Sequence, residues 1–402
     1  MPEPPPQALN VPLSEIDHRV NRLRQTMAQE EFDGVFLFQN VGRFYYSGTM
    51  QPAVLYVPAA GDPALLVFRN IDRAREESSL SRIVPCESWR QIPDLLAGQG
   101  LTRPQTIGLE WDILPVQLYM QVRSLYPSSR ILDASNTLRR CRMIKSPWEI
   151  ENLARAGEMC AGLMGEVPQI LKPGFTELDL AGRLELFLRR QGHQGVIRTR
   201  GFNQELFYGH VLSGPEGIRP SYIDSPSGGS GTGPAFGQGA GPKQIRAGEP
   251  ISIDYCGCYN GYIADQTRMF SLGRPDDEVL RAYDAMCRVQ AVIQDRARPG
   301  ITGSMVYHWA LEAAERLGHG DHFMGLEASR AAYVGHGVGL ELDELPLLAA
   351  KFDLPLEENM VIAVEPKAFL PRHGMVGIEN TFLLTGEGLM PLTRASEEFG
   401  IV

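Results

Sequence analysis

The chain has 402 residues, 43% of them hydrophobic and 21% charged, with a formal net charge of −10. Such a length is generous for one core and predicts two domains, while the composition is that of an ordinary soluble globular protein. The acidic balance argues against nucleic acid as the main partner, and no apolar stretch approaches the roughly 20 residues a membrane-spanning helix needs.

The opening MPEPPPQALNVPLSE has neither a basic region nor an apolar core, so it reads as a short, partly disordered lead-in and not as a signal peptide. Ser14, with Asp17 three positions on, is expected to cap a helix carrying Ile16, Val20, Leu23 and Met27 at helical spacing. Strand-like runs follow at residues 34–38, 53–57, 65–68, 106–109 and 131–133, with a helical stretch at 117–125. That alternation predicts a small α/β domain over residues 1–140, followed by a second domain over 141–402. The first part contains no His, Asp or Glu cluster with catalytic spacing, which leaves it dimer contact and roofing of an active site.

Ser146-Pro147-Trp148-Glu149 supplies a cap, a proline at the first helical position and a glutamate that reaches back, so a helix starts there. A second runs from Thr176 to a stop at Gly192. Residues 213–241 are rich in Gly, Pro and Ser, which fits either a flexible loop or one lining a site. Without a Gly-Lys-Ser/Thr signature a phosphate cradle is discounted.

Residues 250–272 organise the chemistry. Ile251, Ile253 and Tyr255 alternate as in a half-buried strand, a second β-rich run covers 261–270, and Asn260-Gly261 suits a type I′ turn between them. Closing the hairpin there opposes Tyr259 to Tyr262, Cys256 to Asp265 and Asp254 to Thr267. Asp254 and Asp265 then become diagonal neighbours on one face, roughly 7–8 Å apart. Two ionised carboxylates converging to 4 Å repel by about 4 kcal/mol at an effective dielectric of 20, so a cation is called for between them. Paired acids in strands also occur on solvated faces, and the rest of the chain decides between the two.

Helices are expected at 276–296 and 303–317, the latter ended by Gly318. The segment 335–346 reads GHGVGLELDELP, in which His336 is flanked by glycines that leave room for a ligand. Two strand-like runs, 360–365 and 375–379, end in Glu365 and Glu379, with 367–374 read as a polar loop that lets the two glutamates face each other. The six cysteines are scattered without metal-finger spacing, and Cys256 and Cys258 share one strand face, which disfavours a mutual disulfide. A reduced, cytoplasmic protein is expected.

Asp254, Asp265, His336, Glu365 and Glu379 together make four carboxylates and one imidazole. Two divalent cations balance the four negative charges; one leaves the cluster net negative. Oxygen-rich ligation favours Mn, Fe or Co over a purely structural zinc site. A pair of such ions about 3.5–4 Å apart activates a bridging water and clamps a carbonyl oxygen during its attack.

These residues resemble the pita-bread metallopeptidases: Xaa-Pro aminopeptidases, prolidases and methionine aminopeptidases, with creatinase as a metal-free relative. The matching motifs are Asp254-x10-Asp265-x-Thr267-Arg268, Gly335-His336-Gly337-x-Gly339-Leu340 with Glu344 and Pro346, Val364-Glu365-Pro366, and Gly377-Ile378-Glu379. Arg142-Met143-Ile144-Lys145-Ser146 leading to Glu149 extends the likeness to the creatinase/prolidase N-terminal domain. The resemblance implies an α/β N-terminal domain plus an α+β pita-bread catalytic domain, a homodimer, and two divalent ions (Mn, Fe, Co or Zn). Asp254 would bind one ion, His336 and Glu365 the other, with Asp265 and Glu379 bridging. It implies a dinuclear metal-dependent hydrolase of Xaa-Pro peptides, with Glu365 taking the proton and His210, Tyr333 or His322 steadying the oxyanion.

The chain departs from that pattern where proline-specific members carry further histidines: Ala332, Asp343 and the Gly237 region stand there instead. Gly377 replaces the family's arginine. Asp343 beside an oxyanion is unfavourable unless protonated or turned away. A small-molecule lyase or amidinohydrolase on the same scaffold, and a non-catalytic peptide-binding descendant, are the competing expectations.

Overall fold

A computed structural model of the chain describes residues 10–223, 225–326 and 329–402; the lead-in at 1–9 lies outside them. The chain divides into two compact units, one running up to Arg142 and the other from Met143 to Val402.

The first unit begins with α1 (Leu13–Gln29), which buries Ile16, Val20, Leu23 and Met27 as one stripe. The cap differs from expectation: the helix starts at Leu13, with extended Pro12 before it and no side-chain cap. There follow β1 (Gly34–Leu37), α2 (Asn40–Ser47), β2 (Ala53–Pro58), β3 (Ala64–Val67), α3 (Ile71–Glu77), β4 (Arg82–Pro85), α4 (Ile92–Gly98), β5 (Thr106–Leu109), α5 (Val116–Leu125), β6 (Arg130–Asp133) and α6 (Ser135–Met143). The sheet has the order β4-β3-β2-β1-β5-β6 and mixes parallel with antiparallel pairs. Strands β1 to β3 are buried throughout, as in a sheet covered on both faces.

The second unit opens with α7 (Pro147–Ile170), whose capping box is the expected one: Ser146 accepts from Glu149 N, and the Glu149 carboxylate takes the Ser146 N–H at 3.0 Å. Next come α8 (Glu177–Arg190), capped by Thr176 with Asp179, then β7 (Gly209–Ser213), β8 (Ile251–Tyr259) and β9 (Tyr262–Ser271). Helices α9 (Asp277–Arg296) and α10 (Gly303–Arg316) lead to β10 (Tyr333–Gly337), β11 (Glu344–Ala349), β12 (Val361–Val364), β13 (Lys367–Leu370), β14 (Gly374–Gly377), β15 (Asn380–Thr385), β16 (Gly388–Pro391) and β17 (Gly400–Ile401).

These strands form a four-stranded sheet (β17-β9-β8-β7), a five-stranded one (β11-β10-β12-β15-β16) and the ribbon β13-β14. Helices α7 and α8 pack Leu163, Val167, Leu180 and Leu184 with Ile251, Ile253 and Tyr255 of the first sheet. Helices α9 and α10 cover the second through Met286, Val289, Val306 and Ala310 against Val334, Ile362 and Val364. Gly257 lets α7 come close to β8, since a Cβ there would lie 2.0 Å from the Ala156 carbonyl oxygen. The site lies between the two sheets.

Candidate metal centre and active site

The hairpin β8–β9 closes as its turn residues dictate. Asn260 and Gly261 both have positive φ (50° and 86°), and the register pairs Asp254 with Thr267, Cys256 with Asp265 and Tyr259 with Tyr262. Strand β7 lies on the other side of β8 and sets His210 opposite Asp254. Asp254, Asp265 and His210 therefore reach one cleft from a single sheet.

The second sheet supplies the rest. Strand β10 runs between β11 and β12 with His336 opposite Leu347 and Ala363. The neighbours press so closely that a Cβ on Gly335 would sit 2.3 Å from the Ala363 oxygen, and one on Gly337 2.3 Å from the Leu345 oxygen. The glycines around His336 are thus a packing requirement of the strand. His336 Nδ1 donates to the Leu342 carbonyl at 3.0 Å, which leaves Nε2 facing Glu365 Oε1 at 3.6 Å. Glu365 directly follows β12, and Glu379 joins β14 to β15, its Oε2 accepting from the Thr267 hydroxyl at 2.8 Å.

One narrow cleft is lined by all five expected metal ligands and by His210 and Tyr333. His322 is not among its lining residues; it sits in a short 3₁₀ turn after α10. Within the cleft Asp265, His336 and Glu379 each offer a ligand atom, and the three atoms lie within 4.8 Å of one another. Glu379 Oε1 is buried with no hydrogen-bond partner. An orphaned buried carboxylate oxygen beside another carboxylate and an imidazole nitrogen turned into the cleft is a donor set that fits a divalent ion. Asp254 and Glu365 are not part of that group of three.

What lies beside Asp254 is Lys367, which sequence reasoning placed in a polar loop. Residues 367–370 are in fact strand β13, and Lys367, in register with Gly377, sends its ammonium into the cleft. Nζ donates to Glu365 Oε2 at 2.6 Å and to Asp254 Oδ2 at 3.1 Å, and lies 3.6 Å from Glu379 Oε2.

The electrostatics split the cleft in two. Burial alone would raise the Asp254 carboxyl, but Lys367, His210 and a hydrogen bond from Thr267 outweigh it and hold it below its ordinary value. Burial opposes the Lys367 ammonium, yet Asp254, Glu365 and Glu379 together hold it well above the usual lysine range. On the other side Asp265 is raised well above a normal aspartate, by burial and then by Glu379 and Asp254. Glu379 is raised likewise, by burial and then, against the pull of Lys367, by Glu365 and Asp254. The two raised carboxyls lie on the His336 side, where Asp343, Glu365 and Asp265 lift the imidazole above its ordinary value against burial; the Asp254 side has the Lys367 ammonium.

The surroundings account for the departures from the family pattern. Asp343 Oδ1 lies 3.8 Å from His336 Nδ1, the nitrogen turned away from Glu365. From the Gly237 region comes Gln238. Its amide nitrogen donates to the Ser227 carbonyl and its oxygen accepts from the Ser221 hydroxyl, which fixes the amide's orientation. The same nitrogen therefore donates to His210 Nε2 at 3.0 Å, and the His210 proton resides on Nδ1. Burial keeps that imidazole neutral, against the pull of Asp254. Residues 213–241 do line the site, through Ile223, Ser225 and Pro226. Glu177, fully buried on α8, holds both ends of the segment: Oε1 accepts from Ser213 N at 2.7 Å and Oε2 from Gly241 N at 3.0 Å.

The comparisons with known proteins point the same way. The family model described as metallopeptidase family M24 matches residues 151–386, and that of the creatinase/prolidase N-terminal domain matches 19–144. The chain is 27% identical to an Xaa-Pro dipeptidase of Pyrococcus furiosus, over 94% of this chain and 99% of that one. Among solved structures it resembles an Xaa-Pro dipeptidase from Bacillus anthracis, at TM-score 0.82 and 25% identity over 96% of this chain and 100% of the other. It also resembles an X-Pro aminopeptidase from Thermotoga maritima, at TM-score 0.79 and 25% identity over 95% and 99%. With its creatinase-like N-terminal domain and pita-bread catalytic domain, the chain belongs to metallopeptidase family M24.

Proposed function

We propose that this chain is a metal-dependent hydrolase of Xaa-Pro peptides, with dipeptides as the first substrates to test. The observation that carries the reading is the buried Asp265–His336–Glu379 set with its orphaned carboxylate oxygen at a cleft, in a chain whose relatives are named Xaa-Pro dipeptidases. Those names favour hydrolysis over lyase chemistry.

Asp265, His336 and Glu379 would hold the metal, with Glu365 beside them. When bound, a divalent ion supplies electrophilic polarisation of the scissile carbonyl and of the attacking water. The chain's own groups do the rest. Glu365 is the proton acceptor, its carboxylate oriented by the Lys367 ammonium at 2.6 Å. His210, neutral with its proton on Nδ1, and Tyr333 are the cleft's donors for a substrate oxygen. Thr267 fixes Glu379, and the Leu342 carbonyl fixes the His336 tautomer. The donor set suits Mn, Fe or Co, with Zn also accommodated. A cytoplasmic homodimer completes the proposal and rests on the family likeness.

The test is to strip the protein of metal, reload it with Mn, Fe, Co or Zn, and follow cleavage of Xaa-Pro dipeptides and longer Xaa-Pro peptides. Turnover should appear on reloading and disappear in Asp265→Asn and His336→Ala. A loaded protein that cleaves no Xaa-Pro bond overturns the reading. Light scattering after size exclusion tests the dimer.

A further inference from the structure

We infer that the Lys367 ammonium stands where a second cation would otherwise sit, so that this chain binds one divalent ion, at Asp265, His336 and Glu379. The inference rests on the metal-centre reading above and sharpens it to a stoichiometry.

The geometry divides the cluster's oxygens between two positive centres. Nζ is engaged with Glu365 Oε2 at 2.6 Å and Asp254 Oδ2 at 3.1 Å, and stands 3.6 Å from Glu379 Oε2, which also takes the Thr267 hydroxyl. The remaining oxygens look the other way: Glu365 Oε1 is 3.6 Å from His336 Nε2, and Glu379 Oε1 has no partner. A metal bonded to Asp254 would need carboxylate oxygens at about 2.0–2.2 Å, and the ammonium already holds one oxygen of Asp254 and one of Glu365. The three residues whose ligand atoms already lie within 4.8 Å of one another exclude Asp254.

The strand pairing shows how the lysine fits. Lys367 lies opposite Gly377, and a Cβ on Gly377 would come 2.5 Å from Lys367 Cγ. Having no side chain, Gly377 leaves the space that the stem of Lys367 fills from the facing strand. With its side chain only 1% exposed, Lys367 has no route to a solvated alternative.

The experiment counts ions. Full-length protein is stripped, equilibrated with Mn²⁺, desalted and measured by elemental analysis, alongside Lys367→Ala, Lys367→Gly, Asp254→Asn and Asp265→Asn. The wild type should retain one ion per chain and the two lysine truncations two. Asp254→Asn should still retain one and Asp265→Asn none. Truncations that bind no more ion than the wild type overturn the inference, as does loss of an ion in Asp254→Asn. Should the truncations fail to fold, the contrast between the two aspartate variants decides alone. A wild type with no ion whose truncations gain one leaves the lysine's role standing and overturns the metal-hydrolase reading instead.

Discussion

Lys145→Met tests whether the loop that carries His336's hydrogen-bond partner is held by a buried ion pair. Lys145 Nζ donates to Glu344 Oε2 at 2.9 Å, and both side chains are within 3% of complete burial. The other carboxylate oxygen, Oε1, accepts from Leu340 N at 3.0 Å and Glu341 N at 3.3 Å. The pair thus anchors the turn whose Leu342 carbonyl receives the His336 proton. Removing one partner of a buried pair strands the other charge and costs roughly 3–5 kcal/mol. At about 2 °C per kcal/mol, suited to a unit this large, the melting temperature should fall by about 6–10 °C. Urea denaturation and thermal scans measure it, and the cycle with Glu344→Gln should show a double variant less destabilised than the sum of the singles. A loss under about 1 kcal/mol, or simple additivity, refutes the reasoning.

Thr267→Val removes the hydroxyl that orients Glu379 and should weaken metal affinity by about 10–100-fold in a chelator competition. Gly335→Ala places a Cβ 2.3 Å from the Ala363 oxygen and should destabilise the second unit by about 3 kcal/mol or more, read by denaturant unfolding. His193 is pushed down to about 4 from an ordinary 6.5, by burial first and by Arg189, against the weaker upward pull of the Cys256 backbone. It accepts from Gly195 N and stacks on Tyr208. The unfolded chain binds this proton more tightly, so stability is full above pH 6.5 and falls between pH 6.5 and 4 by up to about 3 kcal/mol. His193→Phe should flatten that part of the pH profile, and an unchanged slope counts against the assignment.

The hairpin carrying Asp254 and Asp265 was legible residue for residue, because Asn-Gly forces one turn type and the period of two does the rest. The two glutamates were legible as the polar ends of apolar strands. Lys367 was not, since a lysine after Glu-Pro reads as loop until the Gly377 pairing turns it inward. In the first unit, β4 was missed because Arg82–Pro85 has no apolar alternation, and α2 because its cap is Gln39, whose side chain accepts from Gly42 N, in a sequence without a clear stripe. Gln238's contact with His210 depends on how residues 213–241 fold back, which no local pattern specifies.

That segment has one further property. Because the Glu177 carboxylate ties Ser213 at its beginning and Gly241 at its end, the intervening stretch is a closed hoop whose two feet are planted on a helix. The entropic cost of bringing chain ends together rises only slowly with length, by about 0.6 kcal/mol per doubling. Changes of length at its exposed positions, such as Arg219, Pro220, Pro234 and Ala235, would therefore leave β7 and β8 where they are, provided Gln238 keeps its bond to His210. A protein built this way can reshape the wall that faces its substrate without touching the floor.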